Sequence, residues 1–132
     1  LSFKSSSGTI PLVVNTSGVI TTANSSKRYK ENIKPVEDAV LDPNGLYDVQ
    51  VCQYNYKPEY KDNELVSGTQ IGVIAEDLDK HYPNAVIYDS EGRPESWQDR
   101  IMIPAMLKLI QDQKKQLDAL QAEVDALKAK LQ

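Results

Sequence analysis

The chain has 132 residues, 40% hydrophobic, 7% aromatic and 26% charged, a composition that fits one small globular domain, alone or with an appendage. Its net charge of -4, from 15 Lys and Arg against 19 Asp and Glu, argues against nucleic acid as a partner, because that affinity rests on clustered positive charge. A single Cys and a single His exclude an internal disulfide and a His/Cys zinc site, so neither cofactor nor metal is expected, and apolar runs such as Ile10 to Val14 fall far short of the roughly 18 residues that span a bilayer.

A first residue of Leu predicts further chain upstream, and the start carries no secretory pattern. Residues 1–25 are rich in Ser, Thr and Gly. Ser5-Ser6-Ser7-Gly8 and Asn15-Thr16-Ser17-Gly18 read as turns around two β-prone runs, Thr9 to Val14 and Val19 to Thr22. A ribbon this short buries too little to stand alone, so it is expected to be the end of a β-rich stem packed on other chain or on copies of itself.

Residues 26–98 predict an α+β head of short helices and antiparallel strands. Ser25 and Ser26 are N-cap types, which predicts two turns of helix over Lys27 to Ile33 until Pro35 interrupts. A second short helix is expected from Pro35, with Val36, Ala39 and Val40 on one face, ending in the turn Asp42-Pro43-Asn44-Gly45. Leu46 to Lys57 reads as a strand and Thr69 to Ala75 as its partner, joined by a long charged loop from Pro58 to Gly68. A short helix over Ala75 to His81, stopped before Pro83, leads to a third strand at Ala85 to Asp89 and a turn at Ser90-Glu91-Gly92. The tyrosines Tyr47, Tyr54 and Tyr56 are expected to pack across strands.

Every Tyr, the Trp and the Phe precede residue 98, and no Gly occurs from Arg93 onward. That composition predicts one long helix over 99–132. Ile103, Ile110, Leu117, Val124 and Leu131 fall at heptad a, and Met106, Gln113, Leu120 and Leu127 at d, so eight of nine seam positions are apolar. This is the pattern of a parallel coiled coil. Glu123 at g and Lys128 at the next e can pair between chains, while Gln113 would pin register at a cost in stability. The heptads alone leave dimer and trimer open. Pro104 is placed near the first turn, where its missing N–H matters little.

The richest chemistry lies in Ser25-Ser26-Lys27-Arg28-Tyr29-Lys30-Glu31-Asn32-Ile33. A Ser hydroxyl becomes a nucleophile when a base removes its proton, and a Lys serves as that base when burial or nearby positive charge favours its neutral form. Ser25 and Lys30 stand five residues apart at a helix start whose free N–H groups could hold an oxyanion. On spacing alone the ordinary reading is a cap with solvated charges. The acidic residues Asp42, Asp48, Glu76, Asp77 and Asp79 lack the alternation of a Ca²⁺ loop, and His81 reads as a surface residue.

The string from Ser25 to Pro35, the tyrosine strand Val51 to Lys57, Gly72-Val73-Ile74-Ala75-Glu76-Asp77-Leu78 and Ile101-Met102-Ile103-Pro104 resemble, in order, the peptidase S74 family. These are intramolecular chaperone domains at the C-termini of phage tailspikes, tail fibres and endosialidases. The resemblance implies a homotrimer whose partners are its own copies and the upstream β-stem, with no nucleic acid or membrane. It implies a Ser25–Lys30 dyad cutting the Ser25–Ser26 bond, with Arg28 and Asn32 in positioning or oxyanion support. Pairing of Arg28 with Glu76 or Asp77 is the structural alternative. Many relatives carry Asp where this chain has Ser26. A coil that holds three C-termini together raises their effective concentration to roughly millimolar, and cutting afterwards leaves the stem kinetically locked. The implied setting is a virion appendage precursor processed in the host cytoplasm, with the domain absent from the finished particle. A permanent, uncut trimeric tip that binds a receptor is the rival reading.

Ring size constrains the cut. Attack by Ser25 Oγ on its own carbonyl would close a four-membered ring, and attack on the Asn24 carbonyl a five-membered ring that cuts one residue early. Cleavage after Ser25 therefore calls for a neighbouring chain's serine or an activated water.

Overall fold

The computed structural model describes residues 11–60 and 68–132. The turn at residues 5–8, the start of the first β-prone run and most of the 58–68 loop lie outside them. Contacts divide the chain into two units, Leu1–Pro35 and Val36–Gln132.

In the first unit, β1 (Leu12–Val14) and β2 (Ile20–Thr22) form an antiparallel hairpin in which Val13 faces Thr21. Asn15 makes the turn. Its Oδ1 accepts from the backbone N–H of Ser17 at 3.0 Å and of Val19 at 2.9 Å, while Gly18 takes the left-handed conformation at φ +76° that a side chain would resist. Leu12, Val14, Val19 and Ile20 all remain exposed, as expected of a ribbon with too little core of its own. The predicted two-turn helix at Lys27 to Ile33 is a single 3-10 turn, Lys27–Tyr29. Five of the seven side chains are polar or charged, which leaves no continuous apolar face to bury there, and an unpacked helix of seven residues does not hold in water.

The second unit differs from expectation at its start in the same way. Val36 to Val40 form no helix. Glu37 O accepts from the N–H groups of Val40 and Leu41 in a turn, and Lys108 on the C-terminal helix forms an ion pair with Asp38 of that turn. The expected Asp42–Gly45 turn continues as a 3-10 helix, Pro43–Asp48, capped by Asp42, so the strand predicted from Leu46 shortens to β3 (Cys52–Tyr54). It pairs antiparallel with β4 (Gln70–Gly72), Gln53 opposite Ile71. Next come α1 (Ala75–Asp79), a 3-10 turn at Pro83–Ala85, and β5 (Val86–Tyr88). A strand that the sequence reading lacks, β6 (Pro94–Trp97), pairs with β5 through a bulge at Ile87/Tyr88. Pro94 opens that strand, where a missing N–H is tolerated. The last element is α2 (Asp99–Lys130).

The core gathers Leu41, Leu78, Tyr82, Ala85, Val86, Met102 and Ala105. Leu78 and Ala105 are fully covered, and α2 packs against the 3-10 helix Pro43–Asp48 and the turn Pro83–Ala85. Tyr82 spans this core. Its ring lies against Gly45, where a Cβ would stand 3.0 Å from Oη, and its hydroxyl donates to the Asp42 carbonyl at 2.6 Å. Burial, with the charge of Asp42, holds the Tyr82 phenol above its ordinary pKa. Gln98 N–H donates to Ala85 O at 2.7 Å, fixing where α2 begins. Pro104 falls inside α2, beyond the first turn where it was expected, so the Arg100 carbonyl loses its helical donor.

Met102 and Ala105 mark the face of α2 that packs on the head. At about 100° per residue, the predicted seam lies roughly 100° further round the helix. Its residues are open: Ile103, Met106, Ile110, Leu117, Leu120, Val124, Leu127 and Leu131 are all exposed. Gln113, placed at d by the heptad, donates its amide to the Tyr47 hydroxyl of the same chain at 2.7 Å. Among the described residues no helix is long and apolar enough to cross a membrane.

Candidate functional site

The hairpin delivers the chain to Ser25. The last rung beyond β2 is Ala23 N–H to Pro11 O at 3.0 Å, and the Thr22 hydroxyl donates to Asn24 Oδ1 at 3.3 Å. Ser26 then caps the 3-10 turn: its backbone is extended, its hydroxyl accepts from the Arg28 N–H at 3.4 Å, and its carbonyl accepts from Tyr29 N–H at 3.1 Å. Asp and Ser are both preferred caps. Ser26 therefore suits this local task.

The turn closes with Lys30 N–H on Lys27 O at 3.1 Å, and Lys30 itself is extended, φ -128° and ψ 146°. Stopping the helix after one turn leaves the Lys30 side chain free to reach back across the cap. Its Nζ lies 2.9 Å from Ser25 Oγ, a hydrogen bond in which the ammonium donates. Both residues are exposed. Ser25, Lys27, Lys30, Glu31, Asn32 and Ile33 line an open cleft of about 680 Å³. Lys27 adds a second cation to it and Glu31 a carboxylate. Asn32 holds a left-handed backbone, φ 53°, which Asn adopts at lower cost than most residues. This bend returns the chain past the cleft.

Arg28 lies outside that lining. Its guanidinium donates to the Tyr29 hydroxyl at 2.9 Å and sits 4.7 Å above the Tyr29 ring, while Asp77, one of the carboxylates considered for it, pairs with Lys80. The Tyr29 platform and the contribution of Ile33 to the cleft had no signal in the sequence beyond proximity. His81 is exposed as expected. Among the described residues no group of three or more His, Cys, Asp or Glu stands together as a metal site.

What this arrangement can do chemically is limited by proton position. A donating ammonium orients the serine hydroxyl without activating it; once neutral, the same nitrogen can accept the hydroxyl or water proton. Desolvation favours the neutral form of a lysine.

Residues 25–87 match the family model Peptidase_S74, described as chaperone of endosialidase. The match begins at Ser25 and includes the whole cleft. No curated protein matches the chain.

Proposed function

We propose that this chain is an intramolecular chaperone that trimerises through α2, aids assembly of the β-stem whose end is residues 1–25, and then releases itself by a single cut at Ser25–Ser26. The observation that carries this reading is the 2.9 Å approach of Lys30 Nζ to Ser25 Oγ at the first residue of the matched block. Neck appendages of phi29-like Bacillus phages are the setting we infer from the likeness of the four sequence blocks.

In this mechanism Lys30 takes a proton from the attacking oxygen, that of a water or of the equivalent serine on a neighbouring chain. The tetrahedral intermediate collapses with departure of the Ser26 amine, which Lys30 protonates. With water, the products are a carboxylate on Ser25 and a free amine on Ser26. A serine attack first leaves an ester on that serine, which water then resolves. We assign Lys27 and the N–H groups at the start of the 3-10 turn as donors to the developing oxyanion. Both dyad residues are exposed in the single chain, whereas the chemistry asks for a desolvated lysine. Convergence of three copies over the cleft supplies that cover, so cutting follows assembly.

The test is a longer chain carrying its upstream stem, followed by denaturing gel and intact mass. Wild type should yield a fragment beginning at Ser26 and Lys30→Gln should remain whole; Ser25→Ala should remain whole when a neighbouring serine is the nucleophile, and its cutting would identify water instead. Wild type and Ser25→Ala both remaining whole would leave the permanent tip as the correct reading. Efficient cutting by a demonstrated monomer would refute the requirement for assembly.

A further inference from the structure

A second cavity, of about 260 Å³, lies within the Val36–Gln132 unit, and nothing in the cutting mechanism uses it. Tyr54, Tyr56 and Trp97 line it together with Glu76, Glu95 and Ser96. None of its lining residues is Lys, Arg or His, so its charge is that of the two carboxylates.

The aromatic wall is held in place before any ligand arrives. The Tyr54 and Tyr56 rings meet edge to face, centroids 5.5 Å apart and planes at 85°. Tyr54 lies over Gly72 of the paired strand, where a Cβ would come within 3.3 Å of its Cε1, so a side chain there would push the ring from this position by a few tenths of an ångström. Trp97 is anchored from behind, because it packs against the core. Hydrogen bonding to Tyr56 holds the Tyr54 phenol above its ordinary pKa, so that ring stays neutral well past physiological pH.

Each residue has an ordinary structural role as well. Glu76 sits in the first turn of α1, where a negative charge suits the helix dipole, and Trp97 helps cover the core. Neither role accounts for three rings and two carboxylates around one open space. An anion is disfavoured there by charge, and a hard metal ion would need several converging oxygens. Ring faces carry negative quadrupole density and attract cations that are poorly hydrated.

We propose that this cavity binds an organic cation, an alkylammonium or guanidinium group, with Tyr54, Tyr56 and Trp97 against its apolar periphery and Glu76 and Glu95 balancing its charge. The cation comes either from a free small molecule or from a basic side chain of a peptide.

Trp97 is the only Trp of the chain, so its fluorescence reports on this cavity. The full chain is titrated with tetramethylammonium chloride and, separately, with an N-acetylated Gly-Arg-Gly amide, against sodium chloride at equal ionic strength. At least one of the two cations should give a saturable change that sodium does not. A stronger response to tetramethylammonium identifies a free-cation site, and tighter binding of the peptide identifies a side-chain site. The double variant Glu76→Gln/Glu95→Gln should weaken binding roughly tenfold, and Glu95→Gln alone roughly threefold, with unchanged circular dichroism. No saturable response beyond that of sodium, or undiminished affinity in both variants, overturns the proposal.

Discussion

Replacing Leu120 by Ala tests the assembly half of the proposed function, and its size can be worked out in advance. Leu120 is 57% exposed in the single chain, so somewhat over half of its surface is still available to bury. Complete burial of a leucine side chain is worth about 2 kcal/mol, which leaves roughly 1 kcal/mol per chain, or about 3 kcal/mol for three copies. At 1.4 kcal/mol per factor of ten, the trimer association constant should fall about a hundredfold. Alanine is the best helix former, so α2 should persist, and Leu120 is far from the core residues Leu78, Tyr82 and Met102. Sedimentation velocity across a concentration series reads the association, and Trp97 fluorescence in urea reads the head. Adding Leu127→Ala, whose parent residue is 60% exposed, should bring the loss to about ten-thousandfold. Wild-type association by the double variant would show that the exposed heptad face is not the seam. Loss of head stability in parallel would show that Leu120 acts through packing on its own chain.

Other outcomes follow from the core and the turns. Leu78→Ala removes a fully buried side chain and should cost about 3–4 kcal/mol in urea unfolding, with a loss below about 1 kcal/mol contradicting the assigned core. Gly45→Ala places a methyl 3.0 Å from Tyr82 Oη and should destabilise by about 1–3 kcal/mol; in a Tyr82→Phe background the penalty should shrink, which a double-mutant cycle measures. Asp89 accepts from the N–H groups of Glu91 and Arg93 and pairs with the Arg93 side chain, and those Arg93 bonds hold its carboxyl below the usual value. Its folded pKa is therefore lower than its unfolded one, so its contribution is present above the unfolded value and is lost as pH falls through the folded one. Asp89→Asn should flatten the acid limb of a thermal-melt profile and leave the curve above neutrality parallel to wild type.

The sequence foretold long or strongly patterned elements well and short ones poorly. The span of α2 was legible because four heptads repeat without Gly, and the β3/β4 pair because β-branched and aromatic residues cluster on both sides of a charged loop. Lys27 to Ile33 and Val36 to Val40 carried acceptable caps but no apolar face that tertiary packing rewards, and both became turns. β6 was hidden by Pro94, which reads as a strand breaker until the bulge beside Tyr88 is seen to accommodate it. In the cleft, the spacing of Ser25 and Lys30 allowed a contact without requiring it, and the fold adds the single 3-10 turn that brings the two together. The aromatic cavity had no local signature, since Tyr54 and Trp97 are joined only by the packing of β4, α1 and β6.

In the proposed trimer, the anchoring of α2 at Gln98, Met102 and Ala105 also bears on how three long helices would find one another. Starting a helix in water is the unfavourable step, because several residues must be ordered for the first hydrogen bond. The head meets that requirement at one defined point, so each chain's helix grows outward from the same residue and with the same rotational phase. Three such chains brought together offer their apolar rows at matching heights. Alignment errors of a whole heptad, to which a free repeating sequence is prone, would pull the heads out of step and are disfavoured from the outset. In that proposed assembly the folded head would act as the datum from which the clamp is measured.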